Sequence, residues 1–202
     1  MYNTALGSYS KKFQYCIVID LDYTLVNIDT TAMLALQACG KMRRLLLKAL
    51  SASLLRFIVP TLNKVLTRDI YKLILLRACI RCNRNSLKSV IDEVYREALR
   101  NLNLALVKAV SQVSGLKILL TASLDVIAKK FNTLGFNIVI GSVSECRDGK
   151  IWCSIDLYRK KHKILKVFLK YCDEITIIED SPEPQYCMLN NVRVLRVAYC
   201  VR

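Results

Sequence analysis

Short runs of Ile, Val and Leu recur along the chain, each of strand length and each closed by a polar residue. They are YCIVI before Asp20, KILL before Thr121, NIVIG around Ile140, ITII before Glu179 and RVLRVAY at residues 193–199. Helical patterns separate several of them. SLDVIAKKFNTLG carries apolar residues at helical spacing and closes on Gly135, a natural helix stop, and HKILKVFLKYC behaves likewise. Strand alternating with helix predicts an α/β protein: a Rossmann-like, doubly wound parallel sheet covered on both faces.

Residues 30–100 break that rhythm. They read as helix almost throughout, interrupted by Pro60 and by the polar RCNRNS, with Asn85 or Ser86 placed to cap the helix LKSVIDEVYREALRNL. The expected organisation is therefore a sheet domain formed by residues 1–29 and 101–202, with a helical insertion at 30–100. No internal repeat or low-complexity tract occurs.

Composition bounds the reading further. The chain has 202 residues, 53% of them hydrophobic, which excludes a disordered polar chain and allows one substantial core with a small accessory unit. Its formal net charge of +15 concentrates anions near the surface without choosing among nucleic acid, phosphorylated metabolites and acidic lipid. Basic residues interrupt every apolar stretch of the insertion, so none reaches the roughly 20 apolar residues of a membrane span. The N-terminal residues have no apolar core of the secretory kind, and a cytoplasmic location is the expectation. Nine cysteines are numerous for such a protein. Cys79 and Cys82 form a C-x-x-C, readable as a metal or redox pair, but no second pair stands at zinc spacing and the one histidine, His162, is remote. The alternatives are small buried hydrophobes or disulfides. Cys146 and Cys153 flank RDGKIW, whose Asp-Gly predicts a hairpin and allows a cross-strand disulfide.

The chemistry concentrates at strand ends. Asp20 and Asp22 alternate at the end of the first strand and so face one way. Two close carboxylates repel unless a cation sits between them. Asp180 ends another apolar run, and in doubly wound sheets ligands collect at the carboxyl ends of strands. Three such acids suit Mg²⁺, a hard cation that prefers oxygen. The plainer reading is helix capping. Thr121 ends KILL and Ser123 lies two residues on, where either hydroxyl can donate to an anion. Lys160, Lys161 and Lys163 precede a helix, where one can neutralise phosphate while the others are solvated.

These stretches together carry a resemblance. DLDYT at Asp20–Thr24 resembles the D-x-D-x-T motif of the haloacid dehalogenase-like hydrolases, LLTAS their hydroxyl motif, RKKHK their lysine motif and IIEDSPE their acidic motif. The stretch from LLTAS through RDGKIW is most similar to the phosphoserine-phosphatase-like branch, whose members carry a helical cap after the first motif. The resemblance covers roughly residues 15–28 and 102–185, and four motifs in order make it specific.

It implies a Mg²⁺-dependent phosphomonoester hydrolase acting on a small phosphorylated metabolite. Asp20 is then the nucleophile that forms an aspartyl-phosphate and Asp22 the general acid and base. Thr121, Ser123 and a lysine, assigned as Lys161, bind the phosphoryl oxygens. Asp20, Asp180 and Asp22, the last through its backbone carbonyl, hold the metal. Asp22 favours a phosphatase over a dehalogenase, which lacks that second aspartate. The sequence departs from the family pattern at Tyr23, where a small residue is common, and at Glu179, Glu183 and Pro184 around the last motif, which leaves open which acid supports the metal. Asp29 stands where phosphoserine phosphatases carry an acid that meets the substrate amine, and it also fits a helix cap. KMRRLLLKALSASLLRFIV, residues 41–59, fits amphipathic packing or contact with an anionic lipid surface or a lipid phosphate. The rival from another class is a non-catalytic binder of nucleic acid or another acidic partner, although basic clusters with interleaved aromatics are not evident.

Overall fold

The computed structural model of the chain describes residues 12–39, 69–80 and 84–197. Its centre is a six-stranded sheet in the order β4-β3-β2-β1-β5-β6. The strands are β1 (Phe13–Ile19), β2 (Leu116–Leu124), β3 (Ile138–Arg147), β4 (Lys150–Ile155), β5 (Cys172–Glu179) and β6 (Val192–Arg196). All pair in parallel except β4, which returns antiparallel to β3. The connecting helices are α1 (Thr30–Ala38), α2 (Ile70–Cys79), α3 (Arg84–Arg100), α4 (Leu104–Gln112), α5 (Asp125–Ala128) and α6 (Lys161–Phe168).

Alternation along the central strands divides the apolar residues between two cores. Ile17, Ile19 and Leu119 face one side, where Leu34 and Ala35 of α1, Leu75 and Leu76 of α2, and Ile91, Val94 and Ala98 of α3 join them. The described helices of the 30–100 region thus share a continuous core with the sheet. Cys16, Val18, Ile118, Leu120, Ile175 and Ile177 face the other side, beneath Leu165 and Phe168 of α6 and the ring of Tyr186. This is the doubly wound arrangement that the apolar runs predict.

Several expectations need correction. The helix read from SLDVIAKKFNTLG is a single turn, α5, continued by a 3-10 helix over Lys129–Leu134 that stops at Gly135 with φ +84°. Three residues per turn stack Ala128, Phe131 and Leu134 in one column against the sheet, which the wider α-helix would splay. Helix α3 begins at Arg84, so Asn85 and Ser86 lie within its first turn rather than at its cap, within the usual variation of helix ends. Strand β6 begins one residue before RVLRVAY and ends at Arg196. Residues 41–59, Pro60 and Cys82 lie outside the described residues.

Among the cysteines, Cys79 is disulfide-bonded to Cys39, across a Cα separation of 4.5 Å, and Cys16 to Cys172, across 5.9 Å. The sulfur of Cys79 is thereby consumed, and it is not half of a C-x-x-C metal site. Asp148 and Gly149 form the expected turn, with φ of +50° and +69°. The hairpin register, however, sets Cys146 opposite Ile151 and Cys153 opposite Ser144, so the two are displaced along the ladder and do not bridge each other; Cys146 is disulfide-bonded elsewhere. No helix among the described residues is long and apolar enough to cross a membrane.

Gly115 opens β2 with φ +140°, and a Cβ there would lie 2.4 Å from the Tyr15 carbonyl oxygen on β1. Gly115→Ala is expected to cost roughly 1–3 kcal/mol through backbone strain, with the clash in addition. At Gly135, also at positive φ, an added Cβ meets nothing within 4 Å. Urea titrations should show a larger fall in midpoint for Gly115→Ala than for Gly135→Ala.

Candidate active site

The central strands β2, β1 and β5 deliver the site at their carboxyl ends. Asp20 follows Ile19 and stays tied to β5, its N–H donating to the Ile178 carbonyl at 3.0 Å. One carboxylate oxygen accepts from the Leu21 N–H at 2.8 Å; the other meets the Lys161 ammonium at 2.8 Å. The same ammonium lies 2.8 Å from Glu179 Oε2, and the Lys161 and Glu179 side chains are 7% and 1% exposed. Burial opposes the charge on Lys161, but the carboxylates of Asp20 and Glu179 outweigh it and hold the lysine above its usual range.

Lys161 reaches this position because it starts α6. Glu183 fixes that helix end: one oxygen accepts from the Lys161 N–H at 3.0 Å, the other from the His162 N–H at 3.2 Å, and the latter oxygen also lies 2.9 Å from His162 Nδ1. Of the three candidate lysines, Lys161 is thus the one brought to Asp20. Glu179 and Glu183 serve the lysine and its helix.

Asp22 is held quite differently. Its Oδ1 accepts from the Thr30 N–H at 3.0 Å and the Thr30 hydroxyl at 2.8 Å, and its Oδ2 from the Ser123 hydroxyl. Among the described residues, no cation pairs with it. Burial, followed by the nearby charge of Asp29, raises its pKa to about 7. Its carboxylate is turned toward hydroxyls, so of its groups the backbone carbonyl is the one left for a metal. Ser123 is correspondingly engaged with Asp22. Between Asp22 and Thr24, Tyr23 adopts φ +54°, remains 46% exposed and lines the cavity, so its ring narrows the site instead of packing in the core.

Thr121 is buried, and its hydroxyl oxygen accepts from the Ser123 N–H at 3.1 Å. That bond displaces the ladder, whose register shifts between Leu120 and Leu124, and explains why β2 runs on through an irregularity instead of ending at Thr121. Gly141 on β3 admits this bend, because a Cβ there would lie 2.9 Å from the Ser123 carbonyl oxygen. On the other side of Asp20, the Asp180 N–H donates to the Thr24 hydroxyl at 2.9 Å and its carbonyl accepts from Arg196 Nε at 2.9 Å. Burial and the charge of Asp20 raise the Asp180 pKa.

One cavity of about 140 Å³ is lined by Asp20, Asp22, Thr121, Ser123 and Asp180, with Asp29 on its wall. Asp29 also caps α1, accepting from the Ala32 N–H at 2.7 Å, so cap and cavity wall are the same residue. A second cavity, of about 390 Å³, opens on the far side of Asp20 beside Lys161 and Arg159. Among the described residues, no three His, Cys, Asp or Glu side chains form a metal cluster by themselves.

No protein-family model matches the chain, and no curated protein does. Solved structures do. A protein of unknown function from Bordetella pertussis Tohama I is 20% identical, with a TM-score of 0.58 over 84% of this chain and 83% of that one. A HAD family hydrolase from Salmonella enterica serovar Typhi is 13% identical, at 0.56 over 87% of this chain and 59% of its own. The phosphoserine phosphatase from T. onnurineus is 20% identical, at 0.53 over 85% and 78%. The fold is haloacid dehalogenase-like.

Within this fold, five site residues carry more than the sequence assigned them. Thr24 ties the Asp20 loop to Asp180, and its threonine is visible in D-x-D-x-T. Thr30 holds Asp22 and Glu179 holds Lys161, contacts that no local spacing announces. Asp69 and Lys72 reach the cavity from α2 and its cap without any motif.

Replacing Lys161 leaves Asp20 and Glu179 facing each other without a cation. Lys161→Met is expected to destabilise the protein by about 3–5 kcal/mol, as for other broken buried ion pairs. Urea unfolding in the presence of chelator measures it, and Glu179→Gln added to Lys161→Met should recover part of the loss.

Proposed function

We propose that the chain belongs to the phosphoserine-phosphatase-like branch of the haloacid dehalogenase-like hydrolases and hydrolyses a small phosphomonoester. The observation that carries this reading is the unlike treatment of two neighbouring aspartates on one cavity. Asp20 is paired with a buried ammonium, which fixes its carboxylate where a nucleophile would stand. Asp22, without a cation, has a proton within reach of neutral pH.

The residues present fit Mg²⁺. Asp20 and Asp180 offer two carboxylates, with the charge of Asp20 helping to raise the Asp180 pKa, and Asp22 offers a carbonyl; this is the sparse oxygen set that Mg²⁺ completes with water. When bound, the ion offsets repulsion between the nucleophile and the phosphate. The Asp20 oxygen attacks phosphorus and the bond to the leaving oxygen breaks, while Asp22 gives that oxygen a proton. Water then attacks the aspartyl-phosphate, Asp22 takes its proton, and the bond from phosphorus to Asp20 breaks to release phosphate. Lys161 and Thr121 stand where phosphoryl oxygens gather charge. Asp22 lines the 140 Å³ cavity and not the larger one, so the leaving group belongs in the former. Thr31, Ala32, Asp69, Lys72 and Leu75 supply its wall from α1, α2 and the cap of α2, which supports the 30–100 region as the cap.

A panel of phosphomonoesters assayed with Mg²⁺ and with chelator tests the reading. Activity is expected with the metal alone. Asp20→Asn should abolish it, and Asp22→Asn should reduce kcat by about 10²–10⁴-fold. A wild-type protein inert across the panel, or an Asp20→Asn variant that keeps full activity, overturns it.

A further inference from the structure

The cavity wall contains a buried cation that the proposed chemistry does not use. Lys72, on α2, is 5% exposed, and its ammonium meets three acceptors: Asp156 Oδ1 at 2.6 Å, the Ala122 carbonyl at 2.9 Å and Ser142 Oγ at 3.4 Å. An ammonium has three protons, so its donors are fully engaged. Asp156, whose side chain is 1% exposed, is equally committed. Oδ1 also accepts from the Tyr158 N–H at 3.1 Å, and Oδ2 from the Asp69 N–H at 3.1 Å. Burial works against its charge, yet Lys72 and these donors hold its pKa below the usual carboxylate range. Ser142 completes the network, donating to the Ala122 carbonyl at 2.6 Å and accepting from the Leu157 N–H at 3.1 Å.

The partners are what give this network meaning. Ala122 stands between Thr121 and Ser123, in the irregular segment of β2 whose hydroxyls face the proposed phosphate and Asp22. Tyr158 lies in the loop that delivers Lys161. Asp69 caps α2, its carboxylate accepting from the Lys72 N–H at 3.0 Å. One ion pair therefore joins the insertion, the hydroxyl segment and the approach to the lysine. Each link is made to backbone: the Asp69 N–H, the Ala122 carbonyl and the Tyr158 N–H.

We propose that Lys72 and Asp156 are a positioning pair, which latches α2 to the Ala122 segment and so sets the placement of Thr121 and Ser123 opposite Asp20 and Asp22. Neither side chain reaches the reacting atoms in this role. With its protons spent, Lys72 presents no free donor to a substrate anion. The kinetic part rests on the phosphatase reading, whereas the placement of the segment does not.

The test separates positioning from mere stabilisation. Removing one partner, as in Lys72→Met, leaves a buried charge and destabilises the fold. Replacing both, as in Lys72→Met with Asp156→Leu, substitutes apolar groups of similar size and is expected to regain most of the stability, since buried ion pairs exchange for apolar pairs at little net cost. The Asp69 N–H nevertheless loses its acceptor, and the Ala122 carbonyl, which keeps the Ser142 hydroxyl, loses its link to α2. Amide hydrogen exchange on the double variant is expected to show faster exchange, by at least tenfold, in peptides covering residues 69–73 and 120–124, with the β5 peptide unchanged. Its kcat should stay at least tenfold below wild type at a recovered unfolding midpoint, with KM changed less than threefold. Unchanged protection of both peptides overturns the proposal, whether or not any phosphatase activity is found. A double variant with wild-type kcat overturns it as well. Should the double variant fail to fold, Lys72→Arg with intact Asp156 is measured by the same exchange: retention of protection in both peptides is expected, and its loss overturns the proposal.

Discussion

The Lys161 ammonium, buried between Asp20 and Glu179, is the contact on which the site depends. A lysine is seldom buried without compensation, and two carboxylates are seldom buried within reach of each other. Here each solves the other's problem. The arrangement requires that the ends of β1 and β5 lie side by side and that α6 start directly over them. The parallel pairing of Ile19 with Ile178 provides the first condition. Glu183, holding the first N–H groups of α6, provides the second.

From that contact follows the division of labour between the aspartates. They are two residues apart, on the same turn, and line the same cavity, yet their environments differ. Asp20 is compensated by a cation. Among the described residues, Asp22 receives only neutral donors, from Thr30 and Ser123, while Asp29 adds like charge. An acid and a nucleophile built from the same side chain need such a difference in surroundings. The haloacid dehalogenase-like fold supplies it by ending β1 in a turn in which Tyr23 takes a left-handed conformation, so that the chain reverses between Asp22 and Thr24. Strain of this kind persists only when the neighbours fix it. The Thr24 hydroxyl bonded to the Asp180 N–H, and the Leu25 and Val26 N–H groups bonded to the Leu21 carbonyl, do so.

What was legible in the sequence was local. The apolar runs marked the strands because a strand buried on both faces needs nearly every side chain apolar, and Asp20 and Asp180 were conspicuous as the charges that stop those runs. Gly135 and Asp148-Gly149 announced a helix end and a hairpin because their backbones require particular residues. The contacts left unread join positions far apart in the chain: Cys39 with Cys79, Thr30 with Ser123, and Lys72 with Asp156. Cysteine spacing suggested Cys79 with Cys82, since adjacency is all that a spacing can express. Ser123 lines the cavity, and its hydroxyl also bonds Asp22, Thr30 and Thr31, contacts set by α1 arriving beside it. The 3-10 turn after Ala128 was hidden because apolar residues spaced by three satisfy either helix over so short a run.

The distribution of charge gives the last constraint. The chain as a whole carries +15, yet the wall of the small cavity, among the described residues, holds five aspartates, Asp20, Asp22, Asp29, Asp69 and Asp180, against the single cation Lys72. Lys72 has its three acceptors in Asp156, Ala122 and Ser142, and Lys161 is paired with Asp20 and Glu179. A phosphate dianion is thus drawn toward the molecule by its long-range field and repelled at the last few ångströms by the site itself. Short-range repulsion exceeds the screened attraction at contact distance, so binding requires a positive charge not already engaged. A divalent ion held by Asp20 and Asp180 would meet that requirement without breaking either internal pair. The buried pairs keep the scaffold in register, and such a cation would make it hospitable to an anion.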